Sequence, residues 1–261
     1  MGSRLEGMAL SKLANKLRAR IVCPDRPGIG LSTFDSRRTL LGYPNNISHL
    51  ATHLGIKRYG VLGGSGGGPY ALACAKVLSK EKISAVGVFA GVGPPDQGFQ
   101  DMRLASRLLG YFAVKFPGFL GWLIERYCAS KAQDPDPDTF RRFVLAQVKW
   151  GTESERKALE SDKESLELLI RTMREAFRQG GEGIVKECQV LAQPWGFRLS
   201  DVDFDGVRLW YGTDDINTPA RMGRDMAKSL KNARLKEYEG ESHFTLFDRC
   251  GEEALRDMLE E

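Results

Sequence analysis

The chain has 261 residues, of which 42% are hydrophobic and 28% are charged. These proportions are ordinary for a folded protein and argue against bulk disorder. No apolar run reaches the length of about 18 residues that would predict a membrane-spanning helix. Basic residues exceed acidic residues by only 38 to 34, and they are scattered. We therefore expect neither nucleic acid nor a membrane as a partner.

The five cysteines are widely spread and form no C-x-x-C pair. An odd number at such spacing predicts neither a disulfide framework nor a structural zinc site. The amino-terminal residues mix charged and apolar positions and lack the apolar core of a secretory signal. We therefore expect a soluble protein of the cytoplasm.

Five short, mainly apolar runs predict β-strands that are covered on both faces. They are Arg20–Pro24, Tyr59–Gly63, Ile83–Ala90, Val207–Tyr211 and Leu235–Tyr238. Helical patterns at Ile47–Leu54 and Tyr70–Leu78 separate the second and third runs from the runs before them. Strands that alternate with helices predict parallel pairing and a layered α/β sheet.

The middle of the chain contains helical patterns and no convincing strand. Thr152 and Glu155 have the spacing of a capping box, and an amphipathic helix begins near Asp162. We therefore predict an α/β core formed by residues 1–98 and 201–261, into which residues 99–200 are inserted as an all-helical lid.

The segment Gly63-Gly-Ser65-Gly-Gly67 carries the clearest chemical signal in the sequence. The spacing G-x-S-x-G, between a strand and a helix of small residues, is typical of a nucleophile elbow. The turn is so tight that larger side chains at Gly63 and Gly67 would collide. It would present Ser65 at a helix N-terminus, where the amide of Gly66 could stabilise developing negative charge.

A phosphate-binding turn is the alternative interpretation of this glycine-rich segment. A P-loop requires G-K-[ST], which Gly68-Pro-Tyr70 does not supply. A dinucleotide fingerprint requires an acidic residue at the end of the next strand, and Ile83–Ala90 offers none. We therefore expect no nucleotide cofactor, and no other cofactor.

A serine nucleophile needs a base, and the chain has three histidines: His49, His53 and His243. His49 and His53 lie four positions apart on a predicted helix and could in principle bind zinc, but no third ligand is suitably spaced. A solvated helix face explains them better. His243 follows the last predicted strand in a loop, where open α/β sheets place catalytic groups.

The base needs an acid to orient it. Asp214 and Asp215 follow the strand Val207–Tyr211, and because they are adjacent only one can serve. We favour Asp215, since Pro219 would then open the following helix at a fixed distance. The chain order Ser65, Asp215, His243 is that of one large class of hydrolases.

A calcium loop and a reactive thiol are weaker alternatives. The run Asp201-x-Asp203-x-Asp205-Gly206 imitates the start of a calcium loop, but its twelfth position is Gly212 rather than Glu. We interpret the run as a solvated turn and predict no metal site. Cys74 is interpreted as a packing residue of the helix after Ser65.

Four separated segments together resemble the α/β-hydrolase family. They are Asp25–Ser32, Gly63–Leu72, Gly212–Pro219 and Gly240–His243. The resemblance implies a mainly parallel sheet with a helical lid and a Ser65–Asp215–His243 triad. It further implies a hydrolase that acts on a small ester-like or amide substrate without a cofactor, with Phe116, Phe119 and Trp122 of the lid among the residues that select the substrate.

The sequence departs from this family at its amino terminus. The family's first three strands, and the His-Gly loop that supplies a second oxyanion donor, have no counterpart before the predicted helix Leu5–Leu17. We therefore expect a truncated gene product in which Arg20–Pro24 and Tyr59–Gly63 lack a strand between them. The competing hypothesis to an active enzyme is an inactive hydrolase-like binding protein or a fragment.

Overall fold

A computed structural model describes residues 2–260 and contains one parallel sheet of four strands. The strands are β1 (Tyr59–Gly64), β2 (Ile83–Phe89), β3 (Arg208–Gly212) and β4 (Arg234–Tyr238). Each strand pairs with the next one in sequence order, and all three pairings are parallel. The carboxyl ends of all four strands therefore lie at one edge of the sheet.

Four of the five predicted strands are thus present, and none of their ends is shifted by more than one residue. The prediction of a strand over Arg20–Pro24 is wrong, because these residues have no regular secondary structure. An apolar run favours an extended backbone, but a strand also needs a neighbour whose amides and carbonyls can bond it. Within residues 2–260, the sheet provides Arg20–Pro24 with no such neighbour.

Helices occupy most of the remaining chain. The α-helices are α1 (Ser11–Leu17), α2 (Tyr43–His53), α3 (Gly68–Val77), α4 (Leu104–Lys115), α5 (Pro117–Ile124), α6 (Ser130–Ala132), α7 (Pro137–Val148), α8 (Glu153–Ser161), α9 (Lys163–Ala176), α10 (Glu182–Ala192), α11 (Ala220–Ser229) and α12 (Thr245–Leu259). A π-helical turn at Glu125–Ala129 joins α5 to α6, and short 3₁₀ turns include Arg4–Met8 and Ser65–Gly67.

The chain forms two compact units. The sheet unit consists of Arg38–Leu108 and the residues from Val190 onward. Both faces of its sheet are covered: Val86 and Val88 belong to a core cluster with α3, while Ala85, Phe89 and Trp210 belong to a cluster with α12. Because alternate residues of β2 meet different helices, this strand is mainly apolar, as the sequence pattern predicted. The prediction that Leu235–Tyr238 is covered on both faces is wrong, because β4 lies at the end of the sheet and three of its five residues are exposed.

The helical unit consists of the residues up to Arg37 together with Leu109–Gln189. Its described residues form helices and no strand, around a core that includes Phe140, Ile170 and Ile184. The capping box at Thr152 is present, and Asp162 caps α9 by accepting from the Ser165 amide. The boundaries 99–200 of the lid stay a prediction.

In the part of the chain from residue 2 to residue 260, no helix combines the length and the apolar composition that crossing a membrane requires.

Replacement of Leu209 tests the two-sided burial of the sheet. Leu209 is fully buried in β3, so Leu209→Ala is expected to lower the free energy of unfolding by about 2–5 kcal/mol through the cavity that it leaves. Leu259, which is 49% exposed at the end of α12, provides the matched control, and Leu259→Ala should change stability by about 0.5 kcal/mol or less. Urea denaturation measures both, and equal losses would contradict this account of the core.

Candidate active site

Three loops at the carboxyl edge of the sheet carry the residues that the sequence singles out. Ser65 directly follows β1, Asp215 lies three residues after β3, and His243 lies five residues after β4. All three belong to the sheet unit. The parallel pairing of the strands is what brings these distant parts of the chain together.

The turn at Ser65 has the backbone that a nucleophile elbow requires. Ser65 has φ +51°, in the left-handed region that favours glycine. A 3₁₀ turn, Ser65–Gly67, leads directly into α3. A Cβ atom added at Gly63 would overlap with the carbonyl oxygen of Gly67, so the chain can close this turn only with glycine at position 63. The serine side chain is thereby held out from the end of β1.

His243 links the serine to the aspartate. Its Nε2 lies 3.1 Å from Ser65 Oγ, and its Nδ1 lies 2.6 Å from Asp215 Oδ2. When Nδ1–H is donated to the carboxylate, Nε2 is left as the acceptor for the serine hydroxyl. This arrangement satisfies the geometric requirement for a nucleophile, a base and a group that orients the base.

The carboxylate of Asp215 is buried and fully engaged. Its Oδ1 accepts the backbone N–H groups of Asn217 and Thr218 at 2.7 and 2.8 Å. Its Oδ2 accepts the hydroxyl of Thr218 at 2.8 Å, in addition to the His243 contact. Asp214, in contrast, is exposed and accepts from the hydroxyl of Thr213. Of the two adjacent acids, the structure places Asp215 against the histidine.

Thr218 is a site residue that the sequence analysis missed. It is 1% exposed, and its Oγ1 lies 3.1 Å from His243 Nδ1 as well as bonding Asp215. Thr218 directly precedes Pro219, which opens α11. A threonine three positions after the acid has the spacing at which a side chain returns to an Asp carboxylate, and this spacing is the available signal.

Gly66 lies next to Ser65 in the 3₁₀ turn, and Gly67 is the residue that precedes α3. The carbonyl of Ser65 accepts the N–H of Val92, which fixes the turn from the side of β2. Free amides and the dipole at a helix N-terminus favour negative charge. The role of the Gly66 amide as an oxyanion donor stays a prediction.

Other candidates from the sequence lie apart from this constellation. His49 and His53 are exposed on α2. The carboxylate of Asp203 accepts a hydrogen bond from Lys80, and this contact lowers the pKa of Asp203. Across residues 2–260, no group of three or more His, Cys, Asp and Glu side chains could hold a metal ion. Burial raises the pKa of Cys74 to about 12, so its thiol stays protonated and serves as packing.

The family follows from these features together with the comparison to known sequences. The model of the alpha/beta hydrolase family matches residues 6–256, and the chain therefore belongs to that family. The fold class predicted from the sequence is confirmed: an α/β-hydrolase fold with a parallel sheet and many helices. A search of curated proteins found no match.

Solved structures with the same fold include three from bacteria. A hydrolase from Pseudomonas aeruginosa has a TM-score of 0.66 and 16% identity, over 100% of this chain and 86% of that one. An esterase from Exiguobacterium antarcticum has a TM-score of 0.62 and 14% identity, over 99% and 88%. An enol-lactonase from Burkholderia xenovorans has a TM-score of 0.62 and 20% identity, over 98% and 85%.

The glycine at position 63 can be tested against its neighbour. In Gly63→Ala the new methyl group would press on the backbone of Gly67, and the free energy of unfolding should fall by about 1–3 kcal/mol. At Gly64 the nearest atom to an added Cβ, the Phe89 carbonyl oxygen, is 3.8 Å away and φ is −93°. Gly64→Ala should therefore leave stability nearly unchanged. Thermal denaturation measures the stability of both variants. An equal loss of stability in the two would contradict this account of the elbow.

Proposed function

We propose that the protein is a serine hydrolase that cleaves small ester-like or amide substrates through an acyl-enzyme on Ser65. The observation that carries this proposal is the unbroken line of contacts from Ser65 Oγ through His243 to the buried carboxylate of Asp215. A serine hydroxyl is a weak nucleophile until a base within hydrogen-bond distance takes its proton.

In the first half of the reaction, Ser65 Oγ attacks the substrate carbonyl carbon while its proton passes to His243 Nε2. The tetrahedral intermediate then expels the alcohol or amine, which leaves with the proton from His243, and an ester to Ser65 remains. In the second half, water gives a proton to His243 and attacks this ester. The carboxylic acid departs, and Ser65 recovers its proton.

Asp215 has two tasks in this mechanism. It keeps the Nδ1 proton of His243 in place, and its negative charge stabilises the imidazolium that forms in each half of the reaction. Three donors besides the histidine hold its carboxylate: two backbone amides and the Thr218 hydroxyl. The negative charge that develops on the substrate oxygen would be stabilised by the amide of Gly66 at the start of α3.

The substrate class is proposed as carboxylic ester. The known structures that share this fold include an esterase and an enol-lactonase, and both names denote action on an ester bond. The reaction needs no cofactor, because nucleophile, base and acid are all side chains of this chain.

A fluorophosphonate probe tests the nucleophile and the acid. We expect the wild type to be labelled and Ser65→Ala not to be labelled. In Asp215→Asn the histidine would lose its orienting charge, and labelling should slow by about 10³–10⁴-fold. Asp214→Asn is the matched control, since Asp214 is exposed, and its labelling rate should equal that of the wild type. A folded wild type that resists the probe would refute the proposal and favour the alternative of a binding protein.

Thr218 is proposed as a positioning residue for the His243–Asp215 pair. Thr218→Val keeps the shape of the side chain but removes the hydroxyl donor to Asp215, and kcat for p-nitrophenyl acetate should fall about tenfold with KM unchanged. Thr218→Ser restores the hydroxyl and should recover kcat to within about threefold of the wild type. A merely structural threonine would show no rescue by serine, or a loss confined to KM.

A further inference from the structure

Five aromatic side chains form an exposed surface on the helical unit. They lie on α4, on α5 and its flanking residue, and on the π-helical turn. Their exposed fractions are all above one half: Tyr111 54%, Phe116 52%, Phe119 51%, Trp122 57% and Tyr127 51%. We refer to these five residues as the aromatic surface.

The aromatic surface is continuous. Ring centroids lie 6.3 Å apart between Tyr111 and Phe116, and 6.2 Å apart both between Phe119 and Trp122 and between Trp122 and Tyr127. The half-buried ring of Phe112 bridges the two parts, at 6.0 Å from Phe116 and 5.9 Å from Phe119. These spacings are those of aromatic pairs in contact. Contiguous apolar surface of this kind marks an interaction site more often than isolated exposed residues do.

Helix α5 is apolar on its exposed face as well as on its buried face. Its sequence, Pro-Gly-Phe-Leu-Gly-Trp-Leu-Ile, contains no polar side chain except the indole N–H. Leu120 and Ile124 are buried in the core of the helical unit, whereas Phe119 and Trp122 face solvent. A helix at the surface of a water-exposed domain normally turns a polar face outward. An outward face of Phe and Trp is therefore a candidate interaction surface.

The charges and the area of the surface favour a lipid headgroup layer. Residues 109–133 contain Lys115, Arg126 and Lys131 but one acidic residue, Glu125, which accepts the Gly181 amide. Trp, Tyr and Phe beside basic residues are the composition of interfacial helices on anionic lipid. Five half-exposed rings leave roughly 500 Å² open, whereas a stable contact between two copies needs about 800 Å² from each.

We propose that the aromatic surface docks the protein on anionic membranes as a peripheral protein. Phe119 and Trp122 would enter the boundary between headgroups and acyl chains, while Lys115 and Arg126 would meet lipid phosphates. This proposal departs from the expectation that no membrane is a partner, which rested on the absence of a spanning run and of a basic stripe. It also departs from the expectation that Phe116, Phe119 and Trp122 select the substrate, and it does not rest on the proposed hydrolase activity.

Vesicles of phosphatidylcholine with phosphatidylglycerol test the docking by co-sedimentation. We expect the wild type to bind, and Phe119→Ser/Trp122→Ser to bind at least about a hundredfold more weakly, from about tenfold for each lost side chain. Trp150→Ser is the matched control, because Trp150 is 73% exposed but lies outside the aromatic surface, and its binding should equal that of the wild type. Lys115→Gln and Arg126→Gln should each weaken binding about fivefold, and less in high salt.

Tryptophan fluorescence identifies the residue that enters the lipid. Trp195 and Trp210 are buried, so Trp122 and Trp150 are the two exposed indoles. Brominated phosphatidylcholine in these vesicles should quench Trp150→Phe as it quenches the wild type, and should not quench Trp122→Phe.

The proposal would be overturned by a wild type that does not bind anionic vesicles, or by a double variant that binds as well as the wild type. A concentration-dependent dimer in light scattering that Phe119→Ser/Trp122→Ser abolishes, without vesicle binding, would assign the surface to a second copy instead. Urea denaturation of the double variant verifies that it is folded.

Discussion

The parallel register of four strands is the constraint on which the candidate site depends. Three loops that are separated by up to 178 positions in the chain meet because each begins where a strand of the same sheet ends. The sheet holds those ends in place because both of its faces are covered by helices. Since the register of each pairing fixes where the strand ends, a shift of one strand by one residue would displace its loop by about 3.3 Å relative to the others.

The loop after β3 holds the carboxylate of Asp215 away from water. A buried carboxylate is stable only when hydrogen-bond donors replace its lost hydration. Asp215 receives these donors from residues two and three positions along its own loop. The loop therefore supplies three of the hydrogen bonds to this carboxylate itself, and the contact with His243 Nδ1 is added to them.

How far the site could be predicted from sequence depended on whether its signals were local. The glycine spacing around Ser65 predicts the tight turn directly. Asp215 and His243 could be predicted because the loops that follow parallel strands lie at one edge of the sheet. The structure brings these three side chains together, although their catalytic roles stay a proposal. Thr218 was missed because its spacing from Asp215 is a weak signal, and only the folded loop directs its hydroxyl to the carboxylate.

The same distinction explains the results for the fold. A covered strand such as β2 is mainly apolar, and four of the five mainly apolar runs do form strands, although β4 is largely exposed. Arg20–Pro24 has the same composition but no strand to pair with, and pairing is a property of the neighbourhood rather than of the segment. Helical periodicity likewise predicted the amphipathic helix that begins near Asp162 and is α9, but not which side chains its buried face meets. The outward aromatic face of α5 violates that periodicity, because Phe119 and Trp122 stand where a polar face would be expected.

The backbone at Ser65 has a consequence for how the protein can change over evolutionary time. A left-handed conformation costs a residue with a Cβ atom about 1–2 kcal/mol, a penalty that glycine would escape. Because Ser65 has φ +51°, glycine at this position would be more stable as far as the backbone alone is concerned. If the hydroxyl had no use, replacement by glycine would stabilise the chain, as it would at Ala90, which has φ +46°.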